Sequence, residues 1–594
     1  MQRTAQRRDA KSRRKPPHGP RGIIARATSL LSQGAYRRAL KLLRVALVQH
    51  TVDPAMLTRY ADALYLTGRI AQAREIYGKA LALDSELFQA WYGRGFAELC
   101  FEAYAAAIPC FRRAVELQPE DWEARSYLGK ALYHMGEVDA AISELGIAAK
   151  CPGAKWRRRA LRQIAVIIPG SSTRGNAEIL KARRKWARLE EQVERAPRSR
   201  PSRCSRQNSR LRVGYVSAFF AARNWMKPVW GTIHAHDRSA FEIHLFLDGA
   251  IPGAGSGFRR QAGDRIHVLT GLSNQAAAER VAAAGIDVLV DLNGYSFPER
   301  LGLFMRRPAA RIVGWFNMYA TTAISAFDYI IGDASVIPAS EERYYTERVL
   351  RVAGSYLSFS VLYPVPPVSP PPCLRAGHIT FGCLAPQYKI TDEVIAVWAE
   401  ILRAAPATRL LLKNSCLGDP ANRNVVLARF ARHGISEERL LAEGPAGHYE
   451  FLRAYGRMDI ALDTFPYNGG TTTMEALWQG VPVLTFNGDR WASRTSRSLL
   501  VNAGLDSWVM QTQNSYIKRA IELALAPESS AELRALREGM RNRLLRSPVC
   551  DTAALSRELE RAYREIAEAK RASSLRDEAP TTPQSNLGCR RAES

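Results

Sequence analysis

Residues 459–483 read DIALDTFPYNGGTTTMEALWQGVPV, and this stretch decides the architecture of the chain. The apolar run at its start predicts a buried strand, and the glycines and threonines from Gly469 onward predict a tight loop that opens a helix. Free amides and the dipole at a helix start favour a diphosphate, and Thr471 and Thr472 add hydroxyl donors. Glu475, one turn later, is placed to accept hydrogen bonds from a ribose diol. The alternative is a glycine turn with threonine caps.

Strands alternate with helical segments on both sides of this stretch. The predicted strands are 211–217, 241–246, 287–292, 311–316 and 329–332, and then 379–381, 409–413, 459–463 and 482–486. A Pro-rich segment, Tyr363 to Cys373, separates the two series. Strands that alternate with helices form parallel sheets covered on both faces. We therefore predict two Rossmann-like domains, at 211–370 and 371–570, with a ligand cleft at the carboxyl ends of the strands.

The first part of the chain repeats itself with a period of 34 residues. Small residues recur at Ala39, Ala73, Ala107 and Ala141, at Ala46, Ala80, Ala114 and Ala148, and at Ser29, Ala63, Ala97 and Ala131. Glycines mark the corners of three repeats, and Glu102 stands at the fourth corner. Small side chains are needed where antiparallel helices approach closely, so the pattern resembles tetratricopeptide repeats over residues 22–152.

Three further segments are predominantly basic. We interpret residues 1–21 as a disordered arm, 153–210 as a basic helical linker and 571–594 as a disordered tail. The net charge of +27 lies largely in such tails, linkers and solvated helix faces, including the run Arg183-Arg184-Lys185. Since no zinc-finger spacing or RNA-binding aromatic signature accompanies the charge, we do not expect a nucleic acid partner.

Composition places the chain among ordinary globular proteins, with 46% hydrophobic and 24% charged residues. The nine cysteines include no Cys-x-x-Cys pair, which argues against a disulfide framework or a zinc ribbon. No apolar run approaches the length of a membrane span. These features predict a cytoplasmic protein without a membrane span.

A second candidate segment lies in the loop after the strand at 379–381. Lys389 precedes a helix there and is placed to neutralise a leaving diphosphate, although such a lysine taken alone is more often a solvated surface residue. A further strand is predicted near Leu440, and His448, in the loop after it, is a candidate for stacking on a base, although taken singly it is more often a surface histidine.

Taken together, these segments closely resemble bacterial members of the O-linked N-acetylglucosamine (O-GlcNAc) transferase family, to which the plant Spindly-type enzymes are related. After the repeats, the motifs appear in that family's order: LRVGYVS at 211–217, DLNGYS at 291–296, RPA at 307–309, DY at 328–329, KI at 389–390, NGGTTT at 468–473 and EALW at 475–478. The resemblance covers nearly the whole chain.

The resemblance implies the GT-B fold, with the acceptor side in the first domain and the nucleotide-sugar site in the second. It implies inverting transfer, without a metal or other cofactor, of N-acetylglucosamine from a UDP-sugar to Ser or Thr hydroxyls of proteins, which the repeats recruit. The sequence agrees on the metal, because it contains no Asp-x-Asp motif. We also expect the donor site to work separately from the repeats.

The resemblance also implies roles for individual residues. Lys389 matches the lysine that meets the diphosphate, His448 the histidine that faces uracil, and Thr471, Thr472 and Glu475 the phosphate and ribose contacts. The predicted donor-binding set is completed by Gln387, Asn468, Gly469 and Gly470. Gly470 stands where the animal enzymes have a histidine, and a backbone amide can serve the phosphate there.

The segment 219–230 departs from the family pattern. Arg223 falls where a histidine is usual, and a guanidinium cannot take a proton from an acceptor at any working pH. We count Arg223 with Lys389 as a catalytic candidate and hypothesise that the segment from Arg223 to Lys227 binds donor or acceptor electrostatically. The acceptor's proton then leaves through water, the diphosphate or a group not yet identified. The alternative is that Trp225 and Trp230 pack in the core and Arg223 faces solvent.

The loop at 315–322 also departs from the family pattern, so other functions stay open. One alternative is transfer of another sugar, such as glucose or fucose, or transfer to a glycan. Another is a non-catalytic scaffold that binds a nucleotide and recruits partners through its repeats.

Overall fold

The computed structural model describes residues 19–194, 210–253 and 255–568. The predicted tail at 571–594, most of the predicted arm at 1–21 and residues 195–209 of the predicted linker lie outside the described residues. In the described ranges, no helix is both long and apolar enough to cross a membrane.

The repeats form four antiparallel helix pairs. Their helices are α1 (Pro20–Ser32), α2 (Tyr36–Gln49), α3 (Pro54–Leu66), α4 (Ile70–Leu83), α5 (Phe88–Cys100), α6 (Tyr104–Leu117), α7 (Trp122–His134) and α8 (Val138–Ala148). The alanines of the first recurring set are all 0% exposed, which confirms that helices meet closely at these positions. Gly34, Gly68 and Gly136 take positive φ at the corners, and Glu102 takes the same left-handed conformation at the fourth.

Two more helices, α9 (Ala154–Ile167) and α10 (Asn176–Val193), follow the repeats. Helix α9 packs on α7 and α8, and α10 packs on α9. The interpretation of the Arg183 run as a solvated face is wrong for Arg183, which is 1% exposed. Its guanidinium donates to Ala165 O at 3.2 Å and to Thr321 O at 2.7 Å, and lies 3.9 Å from the centre of the Tyr295 ring. Arg183 thereby anchors α10 to the domain that follows.

The first lobe is a parallel seven-stranded sheet in the order β3-β2-β1-β4-β5-β6-β7. Its elements are β1 (Leu211–Ser217), α11 (Arg223–Ala235), β2 (Phe241–Leu247), β3 (Arg265–Val268), α12 (Asn274–Ala283), β4 (Val288–Asp291), α13 (Leu301–Met305), β5 (Arg311–Gly314), β6 (Tyr329–Asp333) and β7 (Arg348–Val352). The inner strands β1, β4 and β5 are apolar because helices and loops cover both faces of the sheet.

The second lobe is a parallel six-stranded sheet in the order β10-β9-β8-β11-β12-β13. Its elements are α14 (Cys373–Ala376), β8 (Thr380–Cys383), α15 (Asp392–Ala404), β9 (Arg409–Lys413), α16 (Pro420–Arg432), β10 (Leu440–Glu443), α17 (His448–Arg453), β11 (Ile460–Leu462), α18 (Thr471–Trp478), β12 (Val483–Phe486), α19 (Thr495–Asn502), β13 (Val509–Met510), α20 (Gln513–Leu525) and α21 (Ser529–Leu545). The predicted succession of a helical repeat array and two Rossmann-like domains is confirmed.

The last described helix, α22 (Thr552–Glu568), returns to the first lobe and packs on α11 and β7. Glu560 accepts a hydrogen bond from the backbone of Asp237 at 2.7 Å and contacts His236 Nδ1 at 3.0 Å. The predicted second-domain range, 371–570, therefore includes a helix that covers the first sheet.

The apolar core is continuous from α6 of the repeats through both lobes. The earlier repeats have smaller cores of their own, one around Ala39 and Leu43 and another around Leu64 and Tyr77. The last repeats are thus packed together with the two lobes, whereas the first ones have cores of their own.

Candidate active site between the repeats and the two lobes

A cavity of about 950 Å³ lies where the repeats and both lobes meet, and we call it the central cavity. Helices α7 and α9 line one side of it, and loops of the first lobe around Tyr295 and Asn317 line another. The second lobe contributes Lys389, Gly470, Thr471, Thr472 and Glu475. Five predicted site residues therefore share one cavity.

Lys389 ends a short 3₁₀ turn, Gln387–Lys389, that follows β8. Its Nζ donates to Asn468 O at 2.6 Å and lies 4.1 Å from the centre of the Tyr467 ring. Burial of the ammonium lowers the pKa of Lys389 to about 8, although the charge of Asp463 opposes that shift. No carboxylate in the part of the chain that the structure describes forms an ion pair with Lys389. Its charge is held near the cavity without a fixed counter-ion.

Asp463, the residue after β11, organises the loop that leads into α18. Its carboxylate accepts hydrogen bonds from Gly469 N at 2.9 Å and from Thr485 Oγ1 at 2.8 Å. Burial raises the pKa of Asp463. Asp463 was not predicted as a site residue, although an aspartate directly after a buried strand is a signal for a side chain that organises the following loop.

Helix α18 begins at Thr471, and Gly470 is its N-cap. No described side chain caps this helix start, so the amides of its first turn face the cavity region without a side-chain acceptor. Thr471 and Thr472 line the central cavity. A Cβ on Gly469 would lie 2.5 Å from Thr473 Oγ1, which explains a glycine at this position.

Glu475 makes an ion pair across the cleft that the sequence analysis did not predict. Its carboxylate accepts a hydrogen bond from Lys227 Nζ, which comes from α11 of the first lobe. Both side chains are buried. Burial raises the pKa of Glu475 and lowers that of Lys227, while the charge of each partner opposes the shift of the other. The carboxylate that was expected to meet a ribose is bound to a lysine in this structure.

His448, the first residue of α17, lies beside this pair. Its Nε2 is 3.2 Å from Lys227 Nζ, and its ring meets Tyr363 edge-on at 5.2 Å. Burial, with the charges of Lys227 and Arg223 adding to it, lowers the pKa of His448 to about 4. The imidazole is therefore neutral near pH 7 and presents an uncharged face to a ligand.

Arg223 begins α11 and points toward Tyr363 rather than toward Lys389. Its Nε donates to Gly255 O, and the guanidinium lies 5.8 Å from the centre of the Tyr363 ring. Trp230 is 2% exposed and belongs to the core, whereas Trp225 is 40% exposed and lines the central cavity. The alternative to the electrostatic hypothesis placed both tryptophans in the core. It is correct for Trp230 and wrong for Trp225.

Gln387 and Asn468 stand close to Lys389, but their side chains serve the loops that hold it. Gln387 Oε1 accepts from Asn414 Nδ2 at 3.4 Å, and its Nε2 donates to Ile390 O at 3.5 Å. Asn468 Nδ2 donates to Thr464 O at 2.7 Å. Asn468 Oδ1 is buried without a hydrogen-bond partner among the described residues.

The repeats touch the loop that carries Lys389, a contact that was not predicted from the sequence. The ring of Tyr133, on α7, stacks on Tyr388 with 5.0 Å between ring centres. The corner at Gly136 lies so close to Ile390 O that an added Cβ would overlap it. Arg429, on α16, donates to Met135 O at 2.6 Å. These contacts join residues far apart in the chain, so no local sequence pattern announces them.

Within residues 19–194, 210–253 and 255–568, no group of three or more His, Cys, Asp or Glu side chains is arranged to hold a metal ion.

The model of glycosyl transferase family 41 matches residues 186–358 and 373–559. The chain belongs to this family. A tetratricopeptide-repeat model matches residues 24–99 and 102–155. The family 41 match spans both lobes and the second half of α10, and the repeat match covers α2 to α8.

Among curated proteins, the family 41 chain is 31% identical over 363 residues to a protein of Petunia hybrida named as a probable UDP-N-acetylglucosamine–peptide N-acetylglucosaminyltransferase SPINDLY. That match covers 60% of this chain and 38% of the relative. A Caenorhabditis elegans UDP-N-acetylglucosamine–peptide N-acetylglucosaminyltransferase is 24% identical over 461 residues, with 57% of this chain and 40% of the relative covered. The chain thus spans about two fifths of the length of these relatives.

Among solved structures, a mutant of the Thermobaculum terrenum O-GlcNAc transferase superposes with a TM-score of 0.74 at 30% identity. The superposition covers 87% of this chain and 98% of that one. The arrangement of repeats and two lobes is therefore shared along nearly the whole length of that structure.

Proposed function

We propose that this chain is an inverting, metal-independent glycosyltransferase that moves N-acetylglucosamine from a UDP-sugar to Ser or Thr hydroxyls of proteins. One observation carries the proposal: Lys389 has no carboxylate partner among the described residues, and it shares a cavity with the uncapped start of α18. A lysine ammonium and free helix amides together stabilise a departing diphosphate. The names of the relatives support the choice of donor and acceptor.

The chemistry is a direct displacement at the anomeric carbon. The acceptor hydroxyl oxygen forms a bond to that carbon while the bond from the carbon to the diphosphate oxygen breaks, and its electron pair stays with the diphosphate. Lys389 and the first amides of α18 stabilise the charge that develops there. The hydroxyl proton leaves to water or to the diphosphate. Lys389 is a poor candidate for the base, since its ammonium is needed for the diphosphate.

The nucleoside end of the donor would lie near Glu475 and His448. The Lys227 ammonium donates to the Glu475 carboxylate there. Binding of a ribose diol therefore requires Glu475 to share its oxygens between the diol and Lys227. A second candidate keeps this chemistry but uses another sugar nucleotide, because the segments 219–230 and 315–322 depart from the family pattern. Both candidates use the same diphosphate site.

A screen of UDP- and GDP-sugars with the purified full chain tests the proposal. We expect the fastest nucleotide release from UDP-N-acetylglucosamine, at a rate that a chelator of divalent cations leaves unchanged. NMR of the modified acceptor should show the anomeric configuration opposite to that of the donor. Faster release from another sugar nucleotide would select the second candidate, and no release from any donor would contradict a catalytic role.

A further inference from the structure

The charged residues that line the central cavity are mostly cations. Five are basic and two are acidic: Lys130, Arg159, Arg162, Arg183 and Lys389 against Glu299 and Glu475. Glu475 is neutralised by Lys227, which does not itself line the cavity. Lys389 belongs to the donor site. The remaining excess of positive charge lies on the side formed by the repeats and the helices that follow them.

Three of these cations form what we call the cation wall: Lys130 on α7, with Arg159 and Arg162 on α9. Lys130 is exposed and forms no ion pair with any described residue. Arg159 is 3.9 Å from Glu123, and Arg162 is 3.1 Å from Glu299. These two ion pairs are partly exposed to solvent, so each contributes little to the stability of the fold. Either arginine can therefore exchange its partner for a carboxylate of a ligand.

Arg183 adds a buried charge behind the cation wall. Carbonyl oxygens satisfy its guanidinium, and no carboxylate in the described ranges pairs with it. Hydrogen bonds to neutral carbonyls do not cancel its charge, and a charge in a low-dielectric surrounding acts over a longer distance than one in water. The potential of the cavity is therefore positive on this side.

The cation wall lies close to the donor site along the chain of contacts. Lys130 is one helical turn before Tyr133, which stacks on Tyr388, the neighbour of Lys389. Helices α7 and α9 line the same cavity as Lys389 and Thr471, so a polypeptide that brings a hydroxyl to the donor through this cavity lies against them. Its side chains on that side face Lys130, Arg159 and Arg162.

We propose that the acceptor is a polypeptide segment with Asp or Glu residues flanking the modified Ser or Thr, on the side that faces α7 and α9. This inference rests on the proposed function, because it assigns the chemistry of the acceptor. Complementary charge raises the association rate and disfavours basic segments, which would meet like charges. A polypeptide fits better than a nucleic acid because the cations form one local wall rather than a track along a backbone.

Peptides that differ only in the residues around one central Ser provide the test. They carry flanking Asp and Glu, flanking Asn and Gln, or flanking Lys, and both binding and sugar transfer are measured for each with the intact chain. We expect the acidic peptide to exceed the neutral one about tenfold in kcat/KM at low salt. The advantage should shrink as ionic strength rises.

Charge reversal in the cation wall sharpens the test. Lys130→Glu should lower the preference for the acidic peptide and raise transfer to the Lys-flanked one. Arg112→Glu is the matched control, since Arg112 is an exposed cation of α6 outside the cavity, and its peptide preference should stay that of the parent. A variant that had lost its fold would lose transfer to every peptide. A gain with the Lys-flanked peptide together with a loss with the acidic one therefore excludes a general loss of folding.

Equal rates for acidic and neutral peptides, or an unchanged preference in Lys130→Glu, would overturn the inference. An oligonucleotide of equal charge that displaces the acidic peptide more strongly than a second acidic peptide does would also overturn it. Absence of nucleotide release with every peptide contradicts the proposed function instead, and peptide binding by fluorescence anisotropy then still tests the cation wall.

Discussion

Two buried lysines, one in each lobe, have different surroundings. Lys227, in the first lobe, makes an ion pair with Glu475 of the second lobe. Among the described residues, Lys389 has the carbonyl oxygen of Asn468 as its hydrogen-bond acceptor and the ring of Tyr467 beside it, and no ion-pair partner. A buried charge without a counter-ion is costly, and proteins keep such groups mainly where a ligand uses them.

The two lysines therefore have different roles: Lys227 stabilises the contact between the lobes, and Lys389 is available to a ligand. The Lys227–Glu475 pair joins α11 to α18 and so fixes the lobes relative to each other near His448. Lys389 leaves its charge for a ligand that carries negative charge of its own. The four predictions below test this division, beginning with the largest expected effect.

Lys227→Met should lower the free energy of unfolding by about 3–5 kcal/mol, because it leaves Glu475 buried and unpaired. The double substitution Lys227→Met with Glu475→Leu should recover much of that loss, since no charge is then left alone. Denaturant unfolding of the parent, both single variants and the double variant measures the coupling. Independent, additive losses would show that the pair does not hold the lobes together.

Lys389→Ala should lower nucleotide release at least a hundredfold, which corresponds to about 3 kcal/mol of lost transition-state stabilisation. Its fold should persist, because no ion pair is broken. Lys413→Ala is the matched control, as Lys413 is another largely buried lysine of the second lobe but pairs with Glu443 outside the central cavity. Near-parent release by a folded Lys389→Ala variant would remove this lysine from the mechanism.

The pH profile should show the same division between the two lysines. The pKa of Lys389 is lowered to about 8, so the free protein loses this ammonium as pH rises through that value. We expect kcat/KM for the donor to fall about tenfold per pH unit above it. Lys389→Arg, whose charge persists, should remove this alkaline limb; a limb that remains would belong to another group, such as Lys227.

Arg223→Ala should have the smallest effect, about a twofold to fivefold loss of donor affinity. Arg223 is only partly buried, and its contacts are Gly255 O and the Tyr363 ring, so its charge is screened by water. Titration of the donor against Arg223→Ala and Arg223→His measures the effect. A faster His variant would indicate that the native site lacks a base, and a hundredfold loss would place Arg223 beside Lys389 in importance.

The strands that sequence reasoning missed are β3, β7 and β13, and all three lie at sheet edges. An edge strand has fewer buried side chains, so the apolar run that reveals an inner strand is absent; no residue of β3 is fully buried. The inner strands were predicted to within one or two residues. The local sequence pattern therefore predicted the inner strands of both lobes and missed three of the edge strands.

The contacts between the repeats and the loop that carries Lys389 were not predicted from the sequence, for a related reason. Gly136 and Tyr133 fit a repeat pattern by themselves, and nothing near them in the chain indicates that they press against Tyr388 and Ile390. Deletion of residues 1–152 would therefore expose Tyr388 and leave Arg429 without its acceptor, Met135 O.

By itself the sequence determined the repeat array, the two parallel sheets and the strand–loop–helix segment at 459–483, because each depends on short-range periodicity and on glycine and threonine at defined positions. It also placed Lys389, Thr471, Thr472 and Glu475 in one lobe. Only the tertiary structure decided that Lys227 forms an ion pair with Glu475 and that the repeats form a wall of the same cavity. Such pairings join distant parts of the chain, and packing and charge settle them after local structure has formed.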